Sequence, residues 1–262
     1  MAESFDRLVR LMARLRAPDG CPWDREQTLQ SLRTYLLEET YETIDAIDGG
    51  DPKLLREELG DLLLQVVFLS QICAERNLFT IEDVAAGIHE KLIRRHPHVF
   101  GGEKADGARE AIGRWEQIKN EEREASGARS VLSGVPRALP ALLRAFRIAN
   151  KASLVGFDWE SAPKSLEKVE EETRELRQAL AERSDAAIAE ELGDLLFAVA
   201  NAGRLAGIDP ETALQAANDK FTRRFAAVEE GLRERGLKPE ASHRELMENL
   251  WEEAKRQSRG AR

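Results

Sequence analysis

The stretch LLEETYETIDAIDGGDPKLLREELGDLL at 36–63 carries Glu38, Glu39, Glu42, Asp45, Glu57, Glu58 and Asp61 inside an otherwise apolar helical pattern. A second stretch, VEEETRELRQALAERSDAAIAEELGDLLFAV at 169–199, repeats the arrangement. Glu39 and Glu42, like Glu172 and Glu175, are three residues apart, so each pair shares one helix face. On a wheel at about 100° per residue, Leu55, Leu59, Leu62, Leu63, Val66, Leu69, Ile72 and Cys73 form a core-facing arc. Glu58 falls inside that arc and Asp61 at its edge. In the later stretch Glu191 stands among Ile188, Leu192, Leu195 and Val199, with Asp194 beside it.

Two helices joined by a short loop are antiparallel neighbours, so their facing acids converge. Four close carboxylates in a partly apolar setting repel one another, and some stay protonated unless a cation intervenes. Oxygen-only ligands favour Mg²⁺, with Mn²⁺ as a substitute, and Mg²⁺ commonly shares its shell with substrate phosphates. The expected metal ligands are Glu172, Glu175, Glu191 and Asp194, with a second set in Glu39, Glu42, Glu58 and Asp61. The ordinary use of a helical Glu pair is a solvated face with salt bridges, and Glu57 and Glu190 fit that use. It does not explain acids on a core arc twice over. A di-iron carboxylate bundle would need Glu-x-x-His pairs, and the four histidines (His89, His96, His98 and His243) lie elsewhere. His96 and His98 flank a proline at a helix end and read as a turn rather than as ligands.

The elements that must position these acids come in two copies. A shift of 133 residues lays Glu38, Glu39, Glu42, Glu58 and Asp61 on Glu171, Glu172, Glu175, Glu191 and Asp194, and REELGDLLLQV on AEELGDLLFAV. A shift of 129 lays HEKLIRR at 89–95 on NDKFTRR at 218–224, and RWEQIK at 114–119 resembles LWEEAK at 250–255. The expected organisation is all-α: a first helical-bundle domain over 1–125, a linker over 126–136, and a second helical-bundle domain over 137–262. Helices are expected near 3–16, 26–48, 52–76, 81–95 and 106–125. In the second copy they are expected near 137–151, 162–183, 185–206, 210–234 and 242–257. Asp51 and Asp209, each before a proline, are the expected N-caps.

A chain that is 33% charged and 42% hydrophobic suits a helical protein with a core of its own. Its formal charge of −9 argues against general affinity for nucleic acid or an anionic membrane. The opening segment reads as an amphipathic helix, the apolar clusters are too short to span a bilayer, and Cys21 and Cys73 form no CxxC pair. A cytoplasmic setting is the expectation. Gly-rich phosphate loops are absent.

EExxE followed by ExxD across two helices, with a downstream Lys and Arg pair, resembles the MazG family of nucleoside triphosphate pyrophosphohydrolases. RLRAPDGCPWDREQT, LLEETYETIDAI, ELGDLLLQVVF, RRHPHVFG and RWEQIKNEER are similar to the tandem-domain bacterial members, over nearly the whole chain. The resemblance implies an all-α, Mg²⁺-dependent enzyme that hydrolyses ribo- and deoxynucleoside triphosphates to monophosphate and pyrophosphate. It also implies a homodimer, a competent second domain, and a first domain that is inactive or structural.

On that expectation, water attacks the α-phosphorus and cationic groups stabilise the departing pyrophosphate. Lys220 and Arg224, four apart on one face, are the expected catalytic cations. Arg223, Asn201, Asn218, Trp251 and Lys255 are the expected substrate-binding residues, although a solvated face and core packing are the plain uses of such side chains. Asn201 and Asn218 align with Phe68 and His89, which favours the second copy as the nucleotide site. Asp45 aligns with Gln178, which leaves residual metal binding or activity in the first copy open. The alternatives are a non-catalytic helical adaptor that dimerises and binds a regulatory nucleotide, and a hydrolase acting at another phosphorus.

Overall fold

The computed structural model describes residues 2–102, 106–125 and 130–260, and over these the chain is all-α with no strand. It divides into two compact units, 1–125 and 126–262. The expected linker begins at 126–129, outside the described residues.

In the first unit, helices α1 (Ala2–Leu15), α2 (Pro22–Glu26), α3 (Leu32–Gly49) and α4 (Pro52–Glu75) precede α5 (Ile81–Arg95), α6 (Pro97–Phe100) and α7 (Ala108–Ala125). The α3–α4 hairpin is set by local chemistry. Gly50 closes α3 at φ 69°, a left-handed position that glycine adopts without a Cβ clash. Asp51 then caps α4 by accepting from the Lys53 amide at 2.8 Å, with Pro52 in the first turn. Thr80 and Asp83 form a reciprocal capping box that opens α5. Met12, Leu32, Val67, Phe68 and Ile72 form the core, flanked by Phe5, Leu8, Val9 and Leu64.

The second unit holds α8 (Ala141–Ser153), α9 (Ala162–Glu182), α10 (Asp185–Leu205), α11 (Pro210–Arg233), a one-turn 3-10 segment (Ala241–His243) and α12 (Arg244–Gly260). Helices α9 and α10 pair along their length, α8 packs on α10, and α12 packs on α11. Asp209 caps α11 by accepting from the Thr212 amide at 2.9 Å. Where the first hairpin uses Gly50, the second uses Arg183, held left-handed at φ 56°. Helices α11 and α12 approach closely at Gly231: a Cβ there would meet Leu250 Cδ2 at 2.7 Å.

Two expectations need correction. The helix predicted over 26–48 begins at Leu32, because Thr28 and Ser31 exchange hydrogen bonds in a turn that breaks the chain from α2. The core arc assigned to α4 is only partly inward. Leu59, Leu63 and Val66 are exposed, and their counterparts Leu192, Leu196 and Val199 on α10 are exposed as well. The inward face of α4 is instead carried by Gln65, Val67, Phe68 and Ile72. A wheel marks apolar positions but does not say which of two apolar faces meets the chain's own core.

Candidate metal and nucleotide site

In the second unit the acids leave α9 and α10 toward one point. Carboxylate oxygens of Glu172, Glu191 and Asp194 all lie within 4.8 Å of one another, and so do those of Glu171, Glu172 and Glu175. Glu172 belongs to both groups and is only 4% exposed, whereas Asp194 and Glu175 face solvent. Burial pushes the Glu191 carboxyl above its ordinary range, and the charges of Glu175, Glu172, Glu190 and Asp194 push the same way. A buried carboxylate needs a counter-charge. One is supplied by Lys168, one turn earlier on α9, whose ammonium is 2.6 Å from Glu172 and 2.8 Å from Glu171. Hydrogen bonds to Glu171 and then Glu172 hold the Lys168 ammonium above its usual lysine range, and hold Glu171 below the usual carboxylate range. Lys168 was not singled out from the sequence, although its spacing of four from Glu172 was the available signal.

The first unit builds a similar cluster from Glu39 on α3 and Glu58 and Asp61 on α4, with oxygens within 4.8 Å. Burial raises Glu39, reinforced by Asp61, Glu42 and Glu58; burial also raises Glu58, reinforced by Glu42, Asp61 and Glu57. Glu42 is outside the convergent trio but inside its field. The buried Thr43 hydroxyl donates to the Glu39 carbonyl at 2.7 Å and reaches the Glu58 carbonyl at 3.5 Å, linking the two helices beside the acids. In both units, three convergent carboxylates form an oxygen-only donor set, which fits a divalent cation. No group of this kind among the described residues includes a histidine. His96 and His98 sit at the α5–α6 junction, with the His96 Nδ1 2.6 Å from the Leu92 carbonyl.

The expected substrate residues are dispersed. Lys220, Arg223 and Asn218 are exposed on α11, and Asn218 donates to neighbouring Gln215, at 3.4 Å. Arg224 donates from Nε and Nη2 to the Ser258 hydroxyl on α12, at 3.3 and 3.0 Å. Among the described residues no hydrogen bond or ion pair joins Lys220, Arg223 or Arg224 to the four acids. Lys255 pairs with Glu252 at 2.7 Å. Trp251 packs against the Val228–Leu232–Leu250 core, with its ring 4.9 Å from that of Phe221. Asn201 is 2% exposed, and its carbonyl oxygen accepts from Arg204 Nε at 2.9 Å. Arg204 is in turn paired with the exposed Asp158, so Asn201 anchors a chain of polar contacts that runs from the interior to the surface.

The MazG nucleotide pyrophosphohydrolase domain matches residues 27–100 and 161–228, one segment over each acidic hairpin. The chain belongs to the MazG family. Among its relatives are nucleoside triphosphate pyrophosphohydrolases of Escherichia coli and Thermotoga maritima. The first is 48% identical over 97% of both chains; the second is 47% identical over 96% of this chain and 95% of its own. A Bacillus subtilis protein of uncharacterised function, YabN, is 44% identical over 97% of this chain but only 52% of its own length. Both MazG segments span the whole acid hairpin and reach into the following helix, where the cations stand.

Proposed function

We propose that the second unit hydrolyses ribo- and deoxynucleoside triphosphates to monophosphate and pyrophosphate, in a Mg²⁺-dependent reaction in which water attacks the α-phosphorus. The chain is a hydrolase of the nucleoside triphosphate pyrophosphohydrolase class, the activity its relatives are named for. The observation that carries the finer reading is the convergence of Glu172, Glu191 and Asp194, within 4.8 Å, around a carboxylate removed from solvent. These three, with Glu175 beside them, would hold Mg²⁺, with Mn²⁺ as a substitute; the ion supplies charge to the triphosphate and acidity to the attacking water.

The chain's own groups do the rest. Lys220, Arg223 and Arg224 bind the β- and γ-phosphates and stabilise the charge that develops on the leaving pyrophosphate. Ser258 orients the Arg224 fork. Trp251 and Phe221 offer an aromatic surface for the base, and Lys255 lies within one turn of that surface. A homodimer is supported by the outward Leu192, Leu196 and Val199, an apolar stripe that a second copy would cover. No described helix is long and apolar enough to cross a membrane.

The reading is tested with a panel of nucleotides, following Mg²⁺-dependent pyrophosphate release in wild type and in Glu172→Gln/Glu175→Gln. Loss of release in the double variant is expected, and full retention would sink the assignment. Reaction in ¹⁸O-water should place the label in the monophosphate. A label found only in pyrophosphate would move the attack to another phosphorus. The adaptor alternative predicts nucleotide binding without release.

A further inference from the structure

The two copies differ at the point where each holds its arginines. HEKLIRR and NDKFTRR place Arg94 and Arg95 opposite Arg223 and Arg224, while RWEQIK and LWEEAK place Trp115 and Lys119 opposite Trp251 and Lys255. Three residues further on, Glu122 of α7 stands where α12 has Ser258. In the second unit Arg224 meets a neutral hydroxyl. In the first, Glu122 spends both oxygens on arginine: Oε2 lies 2.6 Å from Arg95 Nη2 and 3.0 Å from its Nε, and Oε1 lies 2.6 Å from Arg94 Nε.

A carboxylate oxygen that accepts from both Nε and Nη2 of one guanidinium, while its partner oxygen accepts from a second guanidinium, uses donors a phosphate would use. It also offsets one of the two positive charges that would attract one. The pair is partly removed from water, with side-chain exposures of 15% for Arg95 and 23% for Glu122, so it is held more firmly than a surface ion pair. The two arginines keep the Glu122 carboxyl below the usual carboxylate range, so it stays ionised at neutral pH. The aromatic part of this copy is also covered. The Arg95 guanidinium lies 5.4 Å and the Lys119 ammonium 4.3 Å from the centre of the Trp115 ring. In the second copy the corresponding Trp251 meets Phe221, which stands where the first copy has Leu92.

We propose that Glu122 is an internal phosphate mimic that closes the first copy to nucleoside triphosphates, and that Ser258 leaves the second copy open. The inference rests on the reading given under Proposed function, in which the α11 cations bind phosphate. It places the functional difference between the copies in the cation cluster and not in the acids, which both units bring together. The plain alternative is that Glu122 only ties α7 to α5. Ser258 makes the equivalent tie between α12 and α11 without a charge, so the two roles separate by experiment.

The test uses the full chain with Mg²⁺ and a non-hydrolysable α,β-methylene nucleoside triphosphate, with stoichiometry read by calorimetry. Wild type is expected to bind one nucleotide per chain, and Glu122→Ser to bind two. Glu122→Gln, which keeps the side-chain shape and drops the charge, guards against a simple loss of folding and should also gain the second site. The reciprocal Ser258→Glu should weaken the original site at least about tenfold. A wild type that already binds two overturns the inference, as does a folded Glu122→Gln that still binds one. A wild type that binds none and releases no pyrophosphate overturns the functional reading beneath it, and a gain-of-site failure beside an active wild type does not.

Discussion

Helices α3 and α4 of the first unit and α9 and α10 of the second send acids to a common point from matching positions, yet the positive charges around the two points differ. In the second unit Lys168 sits on Glu172; the residue 133 positions earlier is Tyr35, which packs edge-on against Trp23. Arg95 is locked by a carboxylate and Arg224 by a hydroxyl. Two turns further along α4 and α10, the buried Phe68 lies under Arg16, whereas its counterpart Asn201 is bonded to Arg204. Duplication has left the ligand geometry alike in the two copies and let the counter-charges diverge. On the proposed reading, metal binding and nucleotide turnover are separable, and each copy serves as the control for the other.

The largest expected effect breaks this comparison at its acids. Glu191→Gln should lower kcat for pyrophosphate release about 10²–10³-fold, the loss typical of a group that stabilises transition-state charge. Glu58→Gln, its counterpart, should leave kcat within about twofold on the same scale. Steady-state assays on the two variants decide it, and equal losses would make the copies interdependent.

The next effect concerns the lysine that only one copy has. Lys168→Met strips the buried Glu172 of its nearest cation, so the metal-free protein should melt at a lower temperature. Mg²⁺ should then stabilise the variant more than it stabilises wild type. Calorimetric melts with and without the ion measure both. Tyr35→Phe, at the matching position, should change neither.

A smaller effect is the pH dependence that Glu122 gives the first unit. Glu122 has a lowered folded-state pKa, so it contributes stability that is present at neutral pH and lost as the pH falls through the carboxylate range. Glu122→Gln should flatten the acid limb of the stability curve, while Ser258→Ala should not alter its slope. Urea titrations at several pH values test the pair.

The smallest expected effect lies in the hairpin turns. Replacing the left-handed Arg183 by glycine should stabilise the second unit by at most about 1 kcal/mol, and Gly50→Ala should destabilise the first by about 1 kcal/mol.

Much of this was legible in the chain because it is local. The Asp-Pro starts at 51–52 and 209–210 are caps in the structure, and the acids repeat at a fixed offset. Side-chain destinations were less legible. Leu59, Leu63 and Val66 have the spacing of core residues, and only packing reveals that they face away from the unit's own core. Asn201 shares a wheel angle with Asp194, but burial two turns later turns it to Arg204. Glu122 is 27 residues from Arg95 in a run of charges, where no periodicity distinguishes a surface glutamate from one seated on two arginines.

The contact between Lys168 and Glu172 has a consequence for how the protein is made. Because the ammonium belongs to the same helix as the carboxylate, the placeholder is synthesised together with the site it fills. On the Mg²⁺ reading proposed above, the hairpin then folds on a newly made chain before the ion arrives, and loading is an exchange of one cation for another rather than a condition for folding.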